Sequence, residues 1–273
     1  MRRLLIIAFV LSLVSCSGNL PALDETVFIE GSVSTLKGWV ERPSAKTSKV
    51  PVTIILHGLT GDSHEEHLEA VADSLYSRGT ATVRFDFNGH GESEGDFSNM
   101  TLDNEFGDAL AIYDYVVSLP WVDKDRISLV GHSQGGLEAG LLAGELGKGR
   151  IHKVVLLAPA ACICTMAKEG SMFGNAFDPE DIPPYIDFWK GTRLGRDYIL
   201  SAQNLDVYGR TSSYDGPVLI LQGLSDGEDL IRDSEAYTRC LKNVEYLPLE
   251  GLSHTFHEDP SIPASLAADF LTE

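Results

Sequence analysis

Short apolar runs rich in β-branched residues alternate along this chain with stretches of helical period, and that alternation restricts the fold more than any other feature. Val52 to Leu56 (Val-Thr-Ile-Ile-Leu) has the look of a strand covered on both faces. A helical stretch from about Glu65 to Ser77 follows and is stopped by Gly79. Thr80 to Phe87 reads as the next strand, and Asp103 to Leu119 is helical up to Pro120. The pattern repeats with Ile127–Val130 as strand, Gln134–Leu146 as helix and Val154–Leu157 as strand. Later strands at Val218–Leu221 and Val244–Leu249 are each followed by a helix. Repeated units of this kind build a fold of the α/β class, a mostly parallel, doubly wound sheet with helices on both faces. Ahead of them, Thr26–Ser34 and Leu36–Glu41 read as two early strands joined by a turn.

Between about residues 160 and 214 the alternation breaks. Pro179, Pro183, Pro184, Trp189 and several glycines occupy a stretch too long for an ordinary connection. It reads as a small inserted cap over the C-terminal edge of the sheet, where α/β sheets bind ligands. The 273 residues suit one such domain, residues 26–273, and 43% hydrophobic residues supply its core. A formal net charge of −19 repels phosphate backbones, so nucleic acid is excluded as a partner and polyanionic substrates are disfavoured. The sequence leaves the oligomeric state, monomer or homodimer, open.

The first residues have the marks of a processing segment. Met1-Arg2-Arg3 is positive, and Leu4 to Val14 is apolar apart from Ser12, too short for a mature membrane-spanning helix. The run ends in Leu13-Val14-Ser15-Cys16, which resembles the bacterial lipobox. The expectation is a signal peptide over 1–15, lipid modification of Cys16, and a short tether over 16–25. The product would be an exported, membrane-anchored lipoprotein on the periplasmic or cell-surface face. Ordinary cleavage near Ser15 or Ser17, without lipid, is the rival reading. Cys162, Cys164 and Cys240 form neither a disulfide framework nor a zinc pattern and read as small buried residues.

The chemistry centres on Gly131-His132-Ser133-Gln134-Gly135-Gly136, between a strand and a helix. A hydroxyl at such a turn sits on a strained elbow, exposed to substrate and close to a helix N-terminus. Serine is a weak nucleophile and needs a base. In the order typical of this elbow, an acid and then a histidine follow the serine. Strand Val218–Leu221 runs into Gln222-Gly223-Leu224-Ser225-Asp226, and the next strand ends in Glu250-Gly251-Leu252-Ser253-His254. Ser133, Asp226 and His254 therefore fall on one edge of the sheet. In this reading His254 takes and returns the Ser133 proton while Asp226 fixes its tautomer. An oxyanion hole needs two backbone donors: the Gln134 N–H is one, and the Leu59 N–H, in the loop after Val52–Leu56, is assigned as the other.

Alternatives exist for each position. Glu228 and Asp229 compete with Asp226 as the acid, and His257 competes with His254 as the base. His64-Glu65-Glu66-His67 lacks the two-residue gap of a His-Glu-x-x-His zinc helix and reads as a solvated helix start. His57, His90 and His132 read as hydrogen-bonded loop residues.

Taken together, these motifs resemble the cinnamoyl (feruloyl) esterase branch of the α/β hydrolases. The resemblance runs through His57 to Gly61, Asp86-Phe87-Asn88-Gly89-His90-Gly91, Asn99-Met100-Thr101, Gly131 to Gly136, Leu157-Ala158-Pro159-Ala160-Ala161, the cap segment Asp178 to Pro183, and Gly251 to His254. It implies an α/β-hydrolase fold and hydrolysis of hydroxycinnamate esters of plant cell-wall sugars or quinate, with no metal or cofactor. The substrate would be a small-molecule or oligosaccharide ester. It also implies that the cap meets the phenolic ring. Met166 and Phe173 stand where the family carries polar side chains, and Tyr198 matches a cap tyrosine, so these three are the candidate substrate contacts. An apolar pair cannot hydrogen-bond a phenol, which bears on the preferred acyl group. Acetyl or short-chain esters, a peptidase-like activity, and acyl-sugar binding without cleavage are the competing functions.

Overall fold

The computed structural model describes residues 20–273, apart from the side chain of Lys190. Cys16 and the leader lie outside the described residues. Strands β1 (Leu23–Glu30) and β2 (Thr35–Arg42) pair antiparallel, from Leu23 opposite Arg42 to Glu30 opposite Thr35. β1 thus begins before residue 26, and the tether expected over 16–25 is corrected at its end. Leu20, Leu23, Val27 and Ile29 pack on the core, Leu20 bridges Ala45, and Arg42 donates to the Pro21 carbonyl at 2.7 Å. Alternating apolar residues with a core to face are drawn into the sheet.

Next come β3 (Val50–Leu56), α1 (Glu66–Ser77) and β4 (Ala81–Phe85), then α2 (Leu102–Ser118), β5 (Val122–His132), α3 (Gln134–Leu146) and β6 (Val154–Leu157). Helix α2 starts where Thr101 and Asn104 form a reciprocal capping box. β5 begins five residues ahead of the Ile127 expected from hydropathy. Asp123-Lys124-Asp125-Arg126 is an irregular lead-in whose pairing with β3 shifts register between Val50 and Val52. The inserted region holds α4 (Cys162–Glu169), hairpin strands β7 (Ser171–Met172) and β8 (Asn175–Ala176), strands β9 (Tyr185–Asp187) and β10 (Arg193–Gly195), α5 (Arg196–Asn204) and α6 (Val207–Thr211). The chain closes with β11 (Val218–Gly223), α7 (Glu228–Cys240), β12 (Val244–Leu249) and α8 (Ser261–Thr272).

The sheet has eight strands in the order β1-β2-β4-β3-β5-β6-β11-β12. Only β2 runs against its neighbours; from β4 to β12 every pairing is parallel. Period-two alternation divides the strand residues between two cores. Ile54, Leu129, Leu156 and Ile220 join Ala109 and Ile112 of α2 and Leu137 and Leu141 of α3. Ile55, Val130, Val155 and Leu221 join Leu68, Val71 and Leu75 of α1 and Ala264 and Ala267 of α8. Burial on both faces explains why these strands are apolar throughout.

Helix α3 crosses the strand ends at very short range. A Cβ on Gly135 would fall 2.4 Å from the carbonyl oxygens of both Leu56 and His57, which are backbone atoms that cannot swing away. Gly135→Ala is therefore expected to destabilise the fold by about 1–3 kcal/mol in urea denaturation. Gly149→Ala, where nothing lies within 4 Å, should stay within about 0.5 kcal/mol of the parent.

Candidate active site

Ser133 sits between β5 and α3 with φ 56° and ψ −120°, a backbone conformation disfavoured for a residue with a Cβ. Its N–H donates to the Leu157 carbonyl at 2.9 Å, and its own carbonyl accepts from the N–H groups of Gly136, Leu137 and Ala160 at 3.0–3.1 Å. Two turns of surrounding backbone thus hold the elbow. The Ser133 Oγ lies 2.9 Å from His254 Nε2, and His254 Nδ1 lies 2.8 Å from Asp226 Oδ2. A carboxylate only accepts, so Nδ1 carries the hydrogen and Nε2 turns a lone pair toward the hydroxyl. Such a series can move a proton from hydroxyl to imidazole and return it.

The carboxylate is itself held. Asp226 Oδ1 accepts from the Gly227 N–H at 2.7 Å, and Oδ2 also accepts from Gln222 Nε2 at 2.9 Å. Ser234 fixes that amide in turn by donating to Gln222 Oε1 at 2.6 Å. The competing acids lie elsewhere: Asp229 pairs with Arg232, and Glu228 is exposed at the start of α7. His257 is exposed, with its Nδ1 3.0 Å from Ser253 Oγ.

Gln134 is the first residue of α3, where the N–H has no intrahelical acceptor. Leu59 lies in the loop after β3. His57 secures that loop: its Nδ1 donates to the Gly58 carbonyl at 2.8 Å, and its Nε2 accepts from the Phe87 N–H at 2.9 Å. Both bonds need a neutral ring, and burial pulls the His57 pKa below its ordinary value accordingly.

A cavity of about 500 Å³ adjoins this loop, lined by Thr60, Phe173, Asp187, Phe188 and Trp189. Ser133 is not part of its lining, whereas Thr60, next to Leu59, is. Phe173 and Phe188 pack at a tilt with ring centroids 4.5 Å apart. Of the three candidate substrate contacts, Phe173 lines this space. Met166 is half-buried against the main core, outside the lining. Tyr198 is fully buried, and its hydroxyl donates to Gln134 Oε1 at 2.6 Å. The expectation that it touches substrate is corrected: a buried phenol needs an acceptor, and Gln134 supplies one within the protein.

Similarity to known proteins agrees with this geometry. Residues 51–207 match the α/β-hydrolase fold family model. A non-heme chloroperoxidase of Kitasatospora aureofaciens is 32% identical over 243 residues, covering 74% of this chain and 84% of that protein. A multifunctional-autoprocessing repeats-in-toxin protein of Vibrio cholerae is 29% identical over 126 residues, 44% of this chain, and the match spans only 3% of the toxin's length. Among solved structures, Est1E from Butyrivibrio proteoclasticus with ferulic acid bound superposes with a TM-score of 0.85 at 34% identity, over 90% of this chain and 97% of that one. The chain belongs to the α/β-hydrolase family. Within it, the resemblance is to the feruloyl esterases.

Several residues around this hydrolase site escape motif reading. Gln134 donates through Nε2 to Glu105 Oε2 at 2.5 Å and accepts from Tyr198, so Glu105, Gln134 and Tyr198 form one buried chain. Burial drives the Glu105 carboxyl up to about 8 and the Glu138 carboxyl well above its ordinary value. On the opposite side of the elbow, His67 is buried rather than a solvated helix-start residue, and Glu65 is half-buried. Desolvation raises Glu65 to about 7 and lowers His67 to about 4. A signal for Glu105 was present: with Leu102, Ala109, Ile112 and Val116 it falls on the apolar stripe of α2.

These shifts give stability a pH dependence. An acid whose folded pKa is raised binds a proton that the unfolded chain has already lost, so stability falls as pH climbs toward the folded value. Buried neutral histidines act in the opposite sense, and only below about 6.5. Between about pH 6.5 and the Glu105 value of about 8, the urea midpoint should therefore decline. Glu105→Gln should lessen that decline, to which Glu65 and Glu138 also contribute, while keeping a hydrogen bond to Gln134.

Proposed function

We propose that this protein is an exported serine esterase that cleaves hydroxycinnamoyl, feruloyl-type esters of plant cell-wall material through an acyl-enzyme on Ser133. The observation that carries the reading is the hydrogen-bonded series Ser133–His254–Asp226 set on a helix N-terminus. Ser133 Oγ attacks the ester carbonyl while its proton passes to His254 Nε2. The resulting imidazolium is stabilised by the Asp226 carboxylate that accepts from its Nδ1–H. Negative charge on the carbonyl oxygen meets the N–H groups of Gln134 and Leu59, each such donor being worth roughly 10²–10³ in rate. The tetrahedral adduct collapses, the C–O bond to the alcohol breaks, and the alcohol leaves with the proton from Nε2. Water then enters by the reverse proton route and releases the acid.

The acyl preference rests on the cavity beside Thr60. Phe173, Phe188 and Trp189 offer aromatic walls of the kind that take a planar ring, and Thr60 and Asp187 are the polar residues of the lining. That Est1E binds ferulic acid supports the same class of acyl group here. Ser133→Ala should lower turnover of methyl ferulate by more than about 10⁴-fold and abolish labelling by a fluorophosphonate probe. Undiminished turnover in that variant would remove Ser133 from the mechanism. In the parent protein, kcat/KM for feruloyl esters above that for matched acetyl esters supports the aromatic reading, and the reverse order supports a short-chain esterase.

The membrane anchor is proposed from Cys16 and the run before it. Among the described residues no helix is long and apolar enough to cross a membrane. Expressed in a bacterium, the full chain should partition into the detergent phase of a Triton X-114 extract, and Cys16→Ala should move it to the aqueous phase. Aqueous partitioning of the parent chain would exclude lipidation.

A further inference from the structure

On the α1 side of the elbow three donor atoms converge that ester hydrolysis does not use. One carboxylate oxygen of Glu65 and one ring nitrogen each of His67 and His132 lie within 4.8 Å of one another, and the inward atoms of these side chains include Glu65 Oε2, His67 Nε2 and His132 Nδ1. Each is buried and has no hydrogen-bond partner among the described residues. The tautomer of His132 follows from its other nitrogen. Nε2 is 2.9 Å from the His254 carbonyl, which only accepts, so Nε2 carries the hydrogen and Nδ1 presents a bare lone pair. The Glu65 carboxyl, when ionised, likewise offers only acceptors. Buried acceptors left without a donor are costly, and here they face one another.

The space between them is kept clear by glycine. A Cβ on Gly61 would fall 2.5 Å from Glu65 Oε2, and one on Gly58 would fall 3.3 Å from His132 Nδ1. The rings of His67 and His132 meet edge to face with centroids 4.2 Å apart, so neither is free to turn away. We propose that Glu65, His67 and His132 form a binding site for one divalent transition-metal ion of the zinc type.

Two imidazoles and one carboxylate are a zinc-type donor set, whereas magnesium and calcium prefer sites made wholly of oxygen. The His132 Nε2–H bond to the His254 carbonyl is the outer support that orients a ligating ring. Bonds of about 2.0–2.2 Å set donors roughly 3.3–3.6 Å apart. Binding therefore draws the three inward, and Glu65, half-buried and just ahead of α1, has the freedom to move. The ion takes no part in ester cleavage. The His132 ring lies at a tilt beside that of His254, with centroids 4.8 Å apart, so an added positive charge opposes formation of the His254 imidazolium. Occupancy slows turnover.

The full chain, stripped with a chelator, would be titrated with Co²⁺ and then with Zn²⁺. The expected result is one equivalent of Co²⁺ retained, with the visible absorption of a four- or five-coordinate ion that Zn²⁺ discharges. Ester turnover should fall as the site fills and recover on chelation. Glu65→Gln and His67→Gln should each weaken Co²⁺ binding at least about 10-fold, the lower end of the effect seen for groups that merely support a ligand. Thermal melts would establish that each variant is folded. Absence of the band in the parent chain at stoichiometric Co²⁺ would overturn the proposal whatever the variants do. So would an unchanged band and affinity in either folded variant, since the ion would then sit elsewhere.

Discussion

The backbone of Ser133 is the constraint on which the rest of this structure depends. A residue with a Cβ held at φ 56° costs on the order of 1–3 kcal/mol and persists only where the surroundings over-determine it. Here they do. One strand takes its N–H, and three amides, two of them from the first turn of α3 and one from the segment after β6, converge on its carbonyl. The glycines on either side permit this. A Cβ on Gly131 would fall 2.1 Å from the Gly135 carbonyl, so strand and helix meet only because both positions lack side chains. The strain presents the hydroxyl above the sheet with a helix N-terminus beside it.

Parallel topology then delivers the partners. In a sheet whose neighbouring strands point one way, every strand ends on the same edge. Leu59 follows β3, Ser133 follows β5, Asp226 follows β11 and His254 follows β12. The four lie far apart in the chain, yet register brings them together: Leu56 pairs with Gly131, and Gly223 pairs with Leu249. Gly223 also packs against the loop carrying His254, since a Cβ there would fall 2.4 Å from the Leu252 carbonyl. The distances within the hydroxyl–imidazole–carboxylate series are thus set by sheet register as much as by the side chains that form it.

Much of this is legible in sequence because it depends on local pattern. The buried strands are apolar on both faces, their ends carry Gly-rich loops, and serine, acid and histidine follow in order. Strand limits were less legible where polarity interrupts pairing, as at Asp123–Arg126, or where apolar alternation runs into an expected tether, as at Leu23. Tyr198 shows a different limit. Motif matching placed it in the cap, but whether a phenol faces substrate or protein depends on which acceptor lies nearer, and Gln134 takes its hydroxyl. For His67, the lack of zinc-helix spacing in His64-Glu65-Glu66-His67 points to a solvated helix start, and the structure buries it. Its burial follows from the helical period, which sets it beside Leu68 and Val71 on the covered face of α1.

Polar groups lie buried on both sides of the elbow, and their placement follows from the chain's own geometry. The residues before and after Ser133 point to opposite sides of the sheet. His132 packs with His67 of α1, and Gln134 joins Glu105 of α2 and Tyr198 of α5. An apolar filling on both sides would remove the cost of burying these groups. It would also leave the first turn of α3 held only by non-directional packing. The Gln134 side chain, bonded at both ends of its amide, fixes the rotation of the first residue of α3. His132, bonded to the His254 carbonyl, fixes the loop that carries the imidazole. Hydrogen bonds have direction and apolar contacts do not. Where the residues on either side of one serine must each aim a neighbour, buried polar pairs accomplish what a better-packed core does not.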